Sequence, residues 1–397
     1  MKRIGPGFLI AAAFIGPGTV TACVLAGNKF GTQLLWALLF SLIATLVLQE
    51  MSARLGLISG KGLTQAIRDS LKTPLVRSAV LLLIAVSILL GNTAYEAGNL
   101  GGATLGMEVL FGEAMAPWYP LIVGILAFTV LWFGKLRYLE YFFMLLVAVM
   151  SICFVTTAIL VGPNLMDIAQ GLFLPVLPDQ SLFYVIALIG TTVVPYNLFL
   201  HASLVKDKWN SADDLKQVRW DTAISLLLGG VISMAIVISA AAMEGNEIKN
   251  ALDLAESLEP LLGSVAKYAI SLGLVAAGFS SAITAPLAAA YVAQGCFGWE
   301  SDIKSARFRG VWIIVLALGV LALSFSYRPI QIIQLAQFAN GLLLPLVAII
   351  LLYAMNQSSV LKSNKNSRVQ NAIGLVIVLI TLVLGTRSVL GVLGLWG

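Results

Sequence analysis

Two short stretches of this sequence interrupt apolar runs with a proline that is followed by polar residues. The first is Gly16-Pro17-Gly18-Thr19, and the second is Val194-Pro195-Tyr196-Asn197. Proline removes a backbone donor and glycine favours non-helical dihedral angles, so each stretch predicts a break in a helix. Inside a membrane, protein, water or an ion must satisfy the freed N–H and C=O groups. The two stretches are therefore candidate segments for binding a small solute.

The groups around these breaks are neutral hydrogen-bonding groups. The half-helix after each break should present unpaired N–H groups, from Gly18, Thr19 and Val20 in one case and from Tyr196 and Asn197 in the other. Helix N-termini favour anions, whereas Mn, Fe and Mg sites are built from carboxylates and carbonyls, with thioethers for softer ions. An anion is therefore better compensated here than a divalent cation. The candidate substrate-binding residues are Gly16, Gly18, Thr19, Val20, Thr191, Thr192, Val194, Tyr196, Asn197 and Asn340, with Gln337 as a further cavity residue.

A polar helix face predicts a site for a coupling ion. Asn92, Glu96 and Asn99 are spaced i, i+4 and i+7, so they share one face of a helix. An acid within a membrane segment is a functional candidate by default. A position of Glu96 near the outer water boundary is an equally good explanation.

The elements that position these residues are predicted to be transmembrane helices. The 397 residues are 59% hydrophobic and only 11% charged, against roughly 25% charged in soluble domains. Apolar runs of about 20 residues, each able to span a bilayer as a helix, recur along the chain. We predict an all-α integral membrane protein with a single transmembrane domain over residues 1–397. The predicted segments, numbered 1 to 11, are 6–27, 32–57, 76–106, 119–134, 140–162, 182–203, 221–243, 264–295, 311–326, 329–355 and 370–394.

The distribution of positive charge predicts the orientation. If the N-terminus is cytoplasmic and the C-terminus outside, most of the 24 lysine and arginine residues fall in inner segments, as expected for a multi-pass protein of the cell (inner) membrane. The net charge of +5 is then a topology signal, and we expect the lipid bilayer rather than nucleic acid as a partner. The stretch 60–72 predicts a short amphipathic helix on the inner surface.

Few residues could support enzymatic chemistry. Cys23, Cys153 and Cys296 lack metal-ligand spacing, and His201 is the single histidine. We therefore predict no enzyme, no cofactor and no resident metal.

The positions of the breaks predict an internal repeat. They lie in segments 1 and 6, which correspond if segments 1–5 and 6–10 form two halves, at about 6–162 and 182–355. Because five is odd, the second half must be inverted in the membrane, and paired interruptions in inverted halves indicate a transporter site near the midplane. The alternative is two ordinary proline kinks without a ligand.

Three stretches also resemble the NRAMP family of divalent-metal transporters. Residues 5–63 are similar to the family's opening, "GTTVVPYNLFLHASLV" (190–205) to its sixth helix, and "AAGFSSAITAPLAAAYV" (276–292) to its eighth. The resemblance implies the LeuT-type fold, with two inverted five-helix repeats and an eleventh helix (370–394), helices 1 and 6 broken, and transport by alternating access. It also adds candidates by position: Ser280, Ser281 and Thr284 for a coupling cation, and His201 for gating or proton transfer.

The sequence departs from this family at its metal ligands. The family has Asp-Pro-Gly-Asn where this chain has Gly16-Pro17-Gly18-Thr19, and Met-Pro-His-Asn where it has Val194-Pro195-Tyr196-Asn197. The carboxylate, the first-helix amide and the thioether are missing. Some NRAMP-related proteins that lack these ligands are associated with bicarbonate.

These observations predict a secondary active transporter of a small anion such as bicarbonate. Sodium is the expected co-ion, because accumulating an anion against an inside-negative potential needs compensating charge, about 2.3 kcal/mol per charge per 100 mV. The first alternative is proton- or gradient-coupled transport of Mn, Mg or Fe, with the carbonyls of Gly16 and Val193 and the carboxylate of Glu96 as ligands. The second is transport of an amino acid or another organic substrate.

Overall fold

The backbone of so apolar a chain has to satisfy its own hydrogen bonds in a membrane, and it does so with helices. The computed structural model describes residues 15–133, 137–209, 211–243, 248, 250–299, 302–324 and 329–392. Within these ranges the chain forms helices and short turns and no β-strand. The principal helices are α1 Pro17–Phe30, α2 Leu35–Ser59, α3 Leu63–Ser70, α4 Pro74–Phe111, α5 Tyr119–Phe133, α6 Arg137–Leu160, α7 Leu165–Phe173, α8 Leu182–Thr192, α9 Pro195–Lys208, α10 Leu215–Ala241, α11 Ala266–Phe297, α12 Ala306–Ser324, α13 Pro329–Met355 and α14 Arg368–Val392.

The predicted membrane class is confirmed. Nine helical stretches among the described residues are long and apolar enough to cross a bilayer, and a tenth is counted if Leu145–Leu160 is taken with Leu165–Phe173. These last two are bent by 117°, so α7 is a separate helix after segment 5. Segment 1 starts within residues 1–14, outside the described residues, and its described part is α1. The total of eleven spans therefore stays a prediction.

Both predicted breaks involve an extended residue followed by proline. In segment 6, α8 ends at Thr192, Val193 and Val194 are non-helical, and α9 begins at Pro195. In segment 1, Gly16 is extended, with φ −94° and ψ 178°, before α1 starts. Proline suits the first position of a helix because its missing N–H would have no partner there. The break in segment 6 is thus an end followed by a new beginning rather than a kink in a continuous helix. In segment 1 the described residues include the new beginning at Pro17, and the residues before Ile15 lie outside the described ranges.

The outer end contains Phe30 and Leu182, and the inner end contains Arg54 and Lys208, following the orientation predicted from charge. The predicted amphipathic helix exists as α3, over Leu63–Ser70, at the inner end.

Small residues allow the helices to pack closely around α4 and α11. Gly278 of α11 lies against the carbonyl of Asn99 in α4, and Gly106 of α4 lies against the carbonyl of Ser271 in α11. Such contacts are typical of helix association in membranes, where close backbone approach replaces the hydrophobic effect. The two central helices, from segments 3 and 8, are equivalent members of the two repeats.

The same use of glycine links the broken helices to their neighbours. Gly27 of α1 packs on the carbonyl of Val237 in α10, and Gly56 of α2 packs on the carbonyl of Ala202 in α9. In repeat terms, segment 1 packs on segment 7 as segment 6 packs on segment 2. This exchange of partners is what inverted halves produce.

The backbones of α8 and α13 lie so close together at Gly190 that an added methyl group should destabilise the protein. A Cβ on Gly190 would lie 2.0 Å from the Gln337 carbonyl oxygen, whereas a Cβ on Gly310 in α12 would meet no atom within 4 Å. A backbone carbonyl cannot move aside as a side chain can, and overpacking lowers the free energy of unfolding by about 1–3 kcal/mol or more. We expect Gly190→Ala to lower the midpoint of thermal unfolding in detergent, read by size-exclusion chromatography. Gly310→Ala, the matched control, should leave it unchanged or raise it; equal midpoints for the two variants would contradict the packing.

Candidate functional site

At both breaks, the carbonyl of the extended residue accepts from the first turn of the following half-helix. The Gly16 carbonyl accepts from the N–H of Thr19 at 3.1 Å and from that of Val20 at 3.2 Å. The Val194 carbonyl accepts from the N–H of Asn197 at 3.1 Å. The prediction of five unpaired N–H donors is therefore wrong for Thr19, Val20 and Asn197, because each extended residue turns its own carbonyl into the first turn.

Two amides stay without a partner at these positions. The second helical residue of α1 is Gly18 and that of α9 is Tyr196, and neither N–H has a hydrogen bond with any described group. Both residues are buried. The positive ends of two half-helices thus lie inside the protein, each with one free N–H, and this arrangement favours a negative guest.

Hydroxyl groups join the two breaks to each other. Thr19 Oγ1 of α1 lies 2.9 Å from Thr191 Oγ1 at the end of α8, and both side chains are fully buried. The carbonyl of Thr192 accepts a hydrogen bond from Thr45 of α2 at 3.3 Å. The hydroxyl of Thr192 donates to the Leu188 carbonyl of its own helix at 2.8 Å. Thr19 and Thr191 therefore lie at the contact between the two breaks, and their role in binding stays a prediction, whereas the Thr192 hydroxyl bonds to its own helix.

Helix α13 brings two amides to the same region. A Cβ on Gly18 would lie 2.1 Å from Gln337 Nε2, so only glycine leaves room for this side chain. Gln337 Oε1 and Asn340 Nδ2 are buried and have no hydrogen-bond partner. Unpaired buried polar atoms are costly, which fits groups that exchange partners with a passing solute.

A pair of tyrosines closes the other side of the second break. The rings of Tyr196 and Tyr95 meet edge to face with centroids 5.3 Å apart. The Tyr196 hydroxyl is close enough to Thr284 and Tyr95 to interact with both, although it forms no hydrogen bond of normal geometry. Tyr95 is next to Glu96 in sequence but lies off the face shared by Asn92, Glu96 and Asn99, and its ring instead meets the second break.

Glu96 is buried in the helix bundle rather than located at a water boundary. It has no exposed surface, its Oε2 accepts from Asn99 Nδ2 at 3.4 Å, and its Oε1 has no partner. Its side chain packs on Gly319 of α12. Asn92 instead donates to the Ala285 carbonyl of α11 at 2.9 Å. The three residues of the predicted face therefore do not act together: Asn92 links α4 to α11, whereas Glu96 and Asn99 bond to each other.

The three predicted coupling residues of α11 do not converge. Ser280 lines an apolar groove with Ile15 and Ser225. Thr284 Oγ1 donates back to the carbonyls of Ser280 and Ser281. Ser281 is buried with its hydroxyl unpaired. Ser281 and Thr284 stay candidates, whereas Ser280, one helical turn from Thr284, borders the apolar groove.

His201 forms a helix-to-helix hydrogen bond. Its Nδ1 lies 2.7 Å from Gln49 Oε1 of α2, and its Nε2 has no partner. The residue is fully buried on α9, one turn below Asn197. A structural link between α9 and α2 accounts for Nδ1; the predicted gating or proton-linked role stays a prediction.

The outer end holds a large polar cavity. Its volume is about 1190 Å³, and it contains Asn28, Lys29, Asp167 and Gln334 in its lining. Gln334 is one helical turn from Gln337 on α13. The two ionic side chains among the described lining residues, Lys29 and Asp167, have opposite sign.

Two discontinuous helices that meet at a buried polar centre, within a bundle of paired inverted halves, define a secondary transporter of the LeuT-type fold. The chain belongs to the Nramp family: the family described as "Natural resistance-associated macrophage protein-like" matches residues 7–391. This confirms the resemblance predicted from sequence, and the chain is a multi-pass transporter of this family rather than an enzyme.

Curated relatives of similar length are named for metal transport. A protein of Aeromonas hydrophila named divalent metal cation transporter MntH is 27% identical over 405 residues, covering 98% of this chain and 95% of the relative. The protein of the same name from Erwinia tasmaniensis is 26% identical, covering 96% and 92%.

Solved structures support the same fold. A manganese transporter of Eremococcus coleocola superposes with a TM-score of 0.76 at 21% identity, covering 97% of this chain and 85% of that one. MhsT in complex with L-phenylalanine gives a TM-score of 0.64 at 13% identity, covering 96% and 98%. At these identities the likeness shows the fold alone.

The contact of Gly18 with Gln337 predicts a coupled pair of substitutions. Gly18→Ala should lower thermal stability because its methyl group would collide with the Gln337 amide. Removing that amide should relieve the collision, so Gly18→Ala with Gln337→Ala should be more stable than the two single effects predict. Unfolding midpoints of the four proteins of this cycle test it. Strictly additive shifts would show that the two residues do not meet.

Proposed function

We propose that this protein is a secondary active transporter that carries a small oxyanion by alternating access, with bicarbonate as the first substrate to test. The observation behind this proposal is the pair of unpaired N–H groups, at Gly18 and Tyr196, at the buried N-termini of two half-helices. Hydroxyls of Thr19 and Thr191 lie beside the first of them. A planar oxyanion matches such a set of neutral donors.

The local chemistry is unfavourable for a dehydrated divalent ion. Gly16 and Thr19 stand where the resembling family has a carboxylate and an amide, and Val194 and Tyr196 stand where it has a thioether and an imidazole. The described residues contain no group of three histidine, cysteine, aspartate or glutamate side chains placed to hold a metal. Stripping water from a cation costs several kcal/mol per charge even after relaxation, and the neutral centre supplies little in return.

Coupling and orientation belong to the same proposal. We place the N-terminus in the cytoplasm and the C-terminus outside, in the inner membrane of the cell, with the 1190 Å³ cavity open to the exterior. Sodium is the proposed co-ion on charge grounds alone. The buried Glu96–Asn99 pair and Ser281 are the residues at which a cation or proton would act.

The second candidate function is transport of a divalent metal such as Mn, Mg or Fe, and the comparisons favour it over bicarbonate. The relatives from Aeromonas hydrophila and Erwinia tasmaniensis carry that function in their names. In this case the carbonyls of Gly16 and Val193, with a partly hydrated ion, would replace the missing side chains.

Uptake into proteoliposomes separates the two candidates. With an inward sodium gradient, we expect labelled bicarbonate to accumulate above empty vesicles and labelled manganese to remain at background. The same vesicles loaded and tested without the gradient serve as the control for coupling. Manganese uptake with no bicarbonate uptake would establish the second candidate and reject the first.

Restoring the acid of the resembling family provides a sharper test. Gly16→Asp places a carboxylate beside the free N–H of Gly18, and a like charge about 5 Å away costs an anion roughly 3 kcal/mol at an effective dielectric constant of 20. We expect bicarbonate uptake to fall by about 100-fold. Ser358→Asp, at an exposed inner position, adds the same charge elsewhere and should leave uptake unchanged. A metal transporter would respond to Gly16→Asp with increased manganese uptake instead.

A further inference from the structure

A second polar cavity lies at the inner end of the molecule, apart from the breaks. Its volume is about 120 Å³, and α3, α9 and α11 form its walls. Arg68 and Lys206 contribute to its lining, together with the hydroxyl-bearing residues Thr64, Ser203 and Tyr291. The described residues that line it include no acid, although Asp207 interacts with Tyr291 from outside the lining.

The two cationic side chains of this cavity are not neutralised by a described acid. Neither Arg68 nor Lys206 forms an ion pair with a described residue, whereas Lys61 nearby is paired with Asp69 at 2.5 Å. The guanidinium of Arg68 lies against Gly298 at the end of α11. Two unpaired cations on the wall of a cavity of this size suit a single small anion.

The N-terminus of α3 adds backbone donors to the same space. This eight-residue helix begins after Gly62, whose carbonyl accepts only from Ala66 among backbone donors. The N–H groups of Leu63, Thr64 and Gln65 are therefore without hydrogen bonds. Gly62 packs on Ser203 of α9, and Thr64 packs on Gly295 of α11. The N-terminus of α3 therefore lies close to both helices.

The register of the helices connects this cavity to the central site. Ser203 follows Tyr196 by seven residues on α9, and Tyr291 follows Thr284 by seven residues on α11. Seven residues are two turns, or about 10 Å, along the same helix face. Tyr196 and Thr284 neighbour each other at the second break. The cavity therefore lies two turns below that break in the groove between α9 and α11.

We propose that this cavity is an oxyanion site at the inner end of the transport route, where Arg68, Lys206 and the free N–H groups of α3 receive the substrate before its release. The inference rests on the proposed function, since it assumes that the transported ion is an anion. The same two cations would repel a divalent metal leaving by this groove.

Cysteine modification tests the site without measuring transport. In a chain whose native Cys23, Cys153 and Cys296 are replaced by alanine, Gln65→Cys places a thiol at an exposed position of the cavity wall. The quantity measured is the reaction rate of an anionic methanethiosulfonate divided by that of a cationic one. We expect this ratio to be about tenfold higher at Gln65→Cys than at a control thiol, Ser358→Cys. Two unit charges about 10 Å away in water give this ratio. Arg68→Gln with Lys206→Gln should abolish the difference, and bicarbonate should slow the reaction when it replaces chloride.

The outcomes separate this inference from the proposed function. If the protein transports bicarbonate but bicarbonate leaves the reaction at Gln65→Cys unchanged, the inner site is rejected and the transport proposal stands. If bicarbonate slows the reaction but is not transported, the cavity binds oxyanions away from any route, and the inference is overturned together with the transport proposal. If only phosphatidylglycerol in the surrounding bilayer slows it, the cavity is a lipid headgroup site, which also overturns the inference.

Discussion

The structure depends on one constraint: a helix that stops within the hydrocarbon must leave no backbone group without a partner unless a guest supplies one. Gly16 and Val194 meet most of this demand by directing their carbonyls into the first turn of the following half-helix. Proline at the next position removes one donor that would otherwise be left over. This arrangement leaves the backbone N–H of the second helical residue, Gly18 or Tyr196, without a hydrogen-bond partner among the described groups. The free donors of the site are thus a consequence of how the chain breaks, independent of the side chains around it.

This separation of backbone from side chains explains how a transporter fold can change its substrate. The break geometry requires an extended residue and a proline, and both are present in each segment. The charge of the centre is set by the residues at positions 16, 19, 194 and 196, which can vary without disturbing the break. In this chain those residues are neutral, so the N-terminal dipoles are no longer opposed by a carboxylate. Family membership therefore fixes the architecture more firmly than it fixes the cargo.

The helices and their breaks could be predicted from the sequence, whereas the hydrogen-bond and packing partners of individual residues could not. Apolar runs located the helices and the prolines Pro17 and Pro195 located the breaks, because these features depend on local composition and backbone chemistry. Counting five free N–H groups failed because the direction of the Gly16 and Val194 carbonyls depends on a ψ angle that no residue type determines. Glu96 could not be placed by spacing either, since its burial depends on Gly319, more than 200 residues away in the chain. Likewise, the neighbours Ser280 and Ser281 point to different surroundings, and only the packing of α11 decides which of them faces the centre.

The proposal of an anion site at the centre depends on the distribution of charge along the route. At the outer end, Lys29 and Asp167 balance each other around a cavity otherwise rich in amides. At the second break, the positive N-terminus of α9 meets the negative C-terminus of α8, and the side chains at both breaks are neutral. At the inner end, Arg68 and Lys206 line a cavity without a described acid. A divalent cation would move from neutral to positive surroundings over this path, at a cost that grows as water is excluded. Glu96, the buried acid among the described residues of α4, packs towards α12 and is hydrogen-bonded to Asn99, so it does not line the centre.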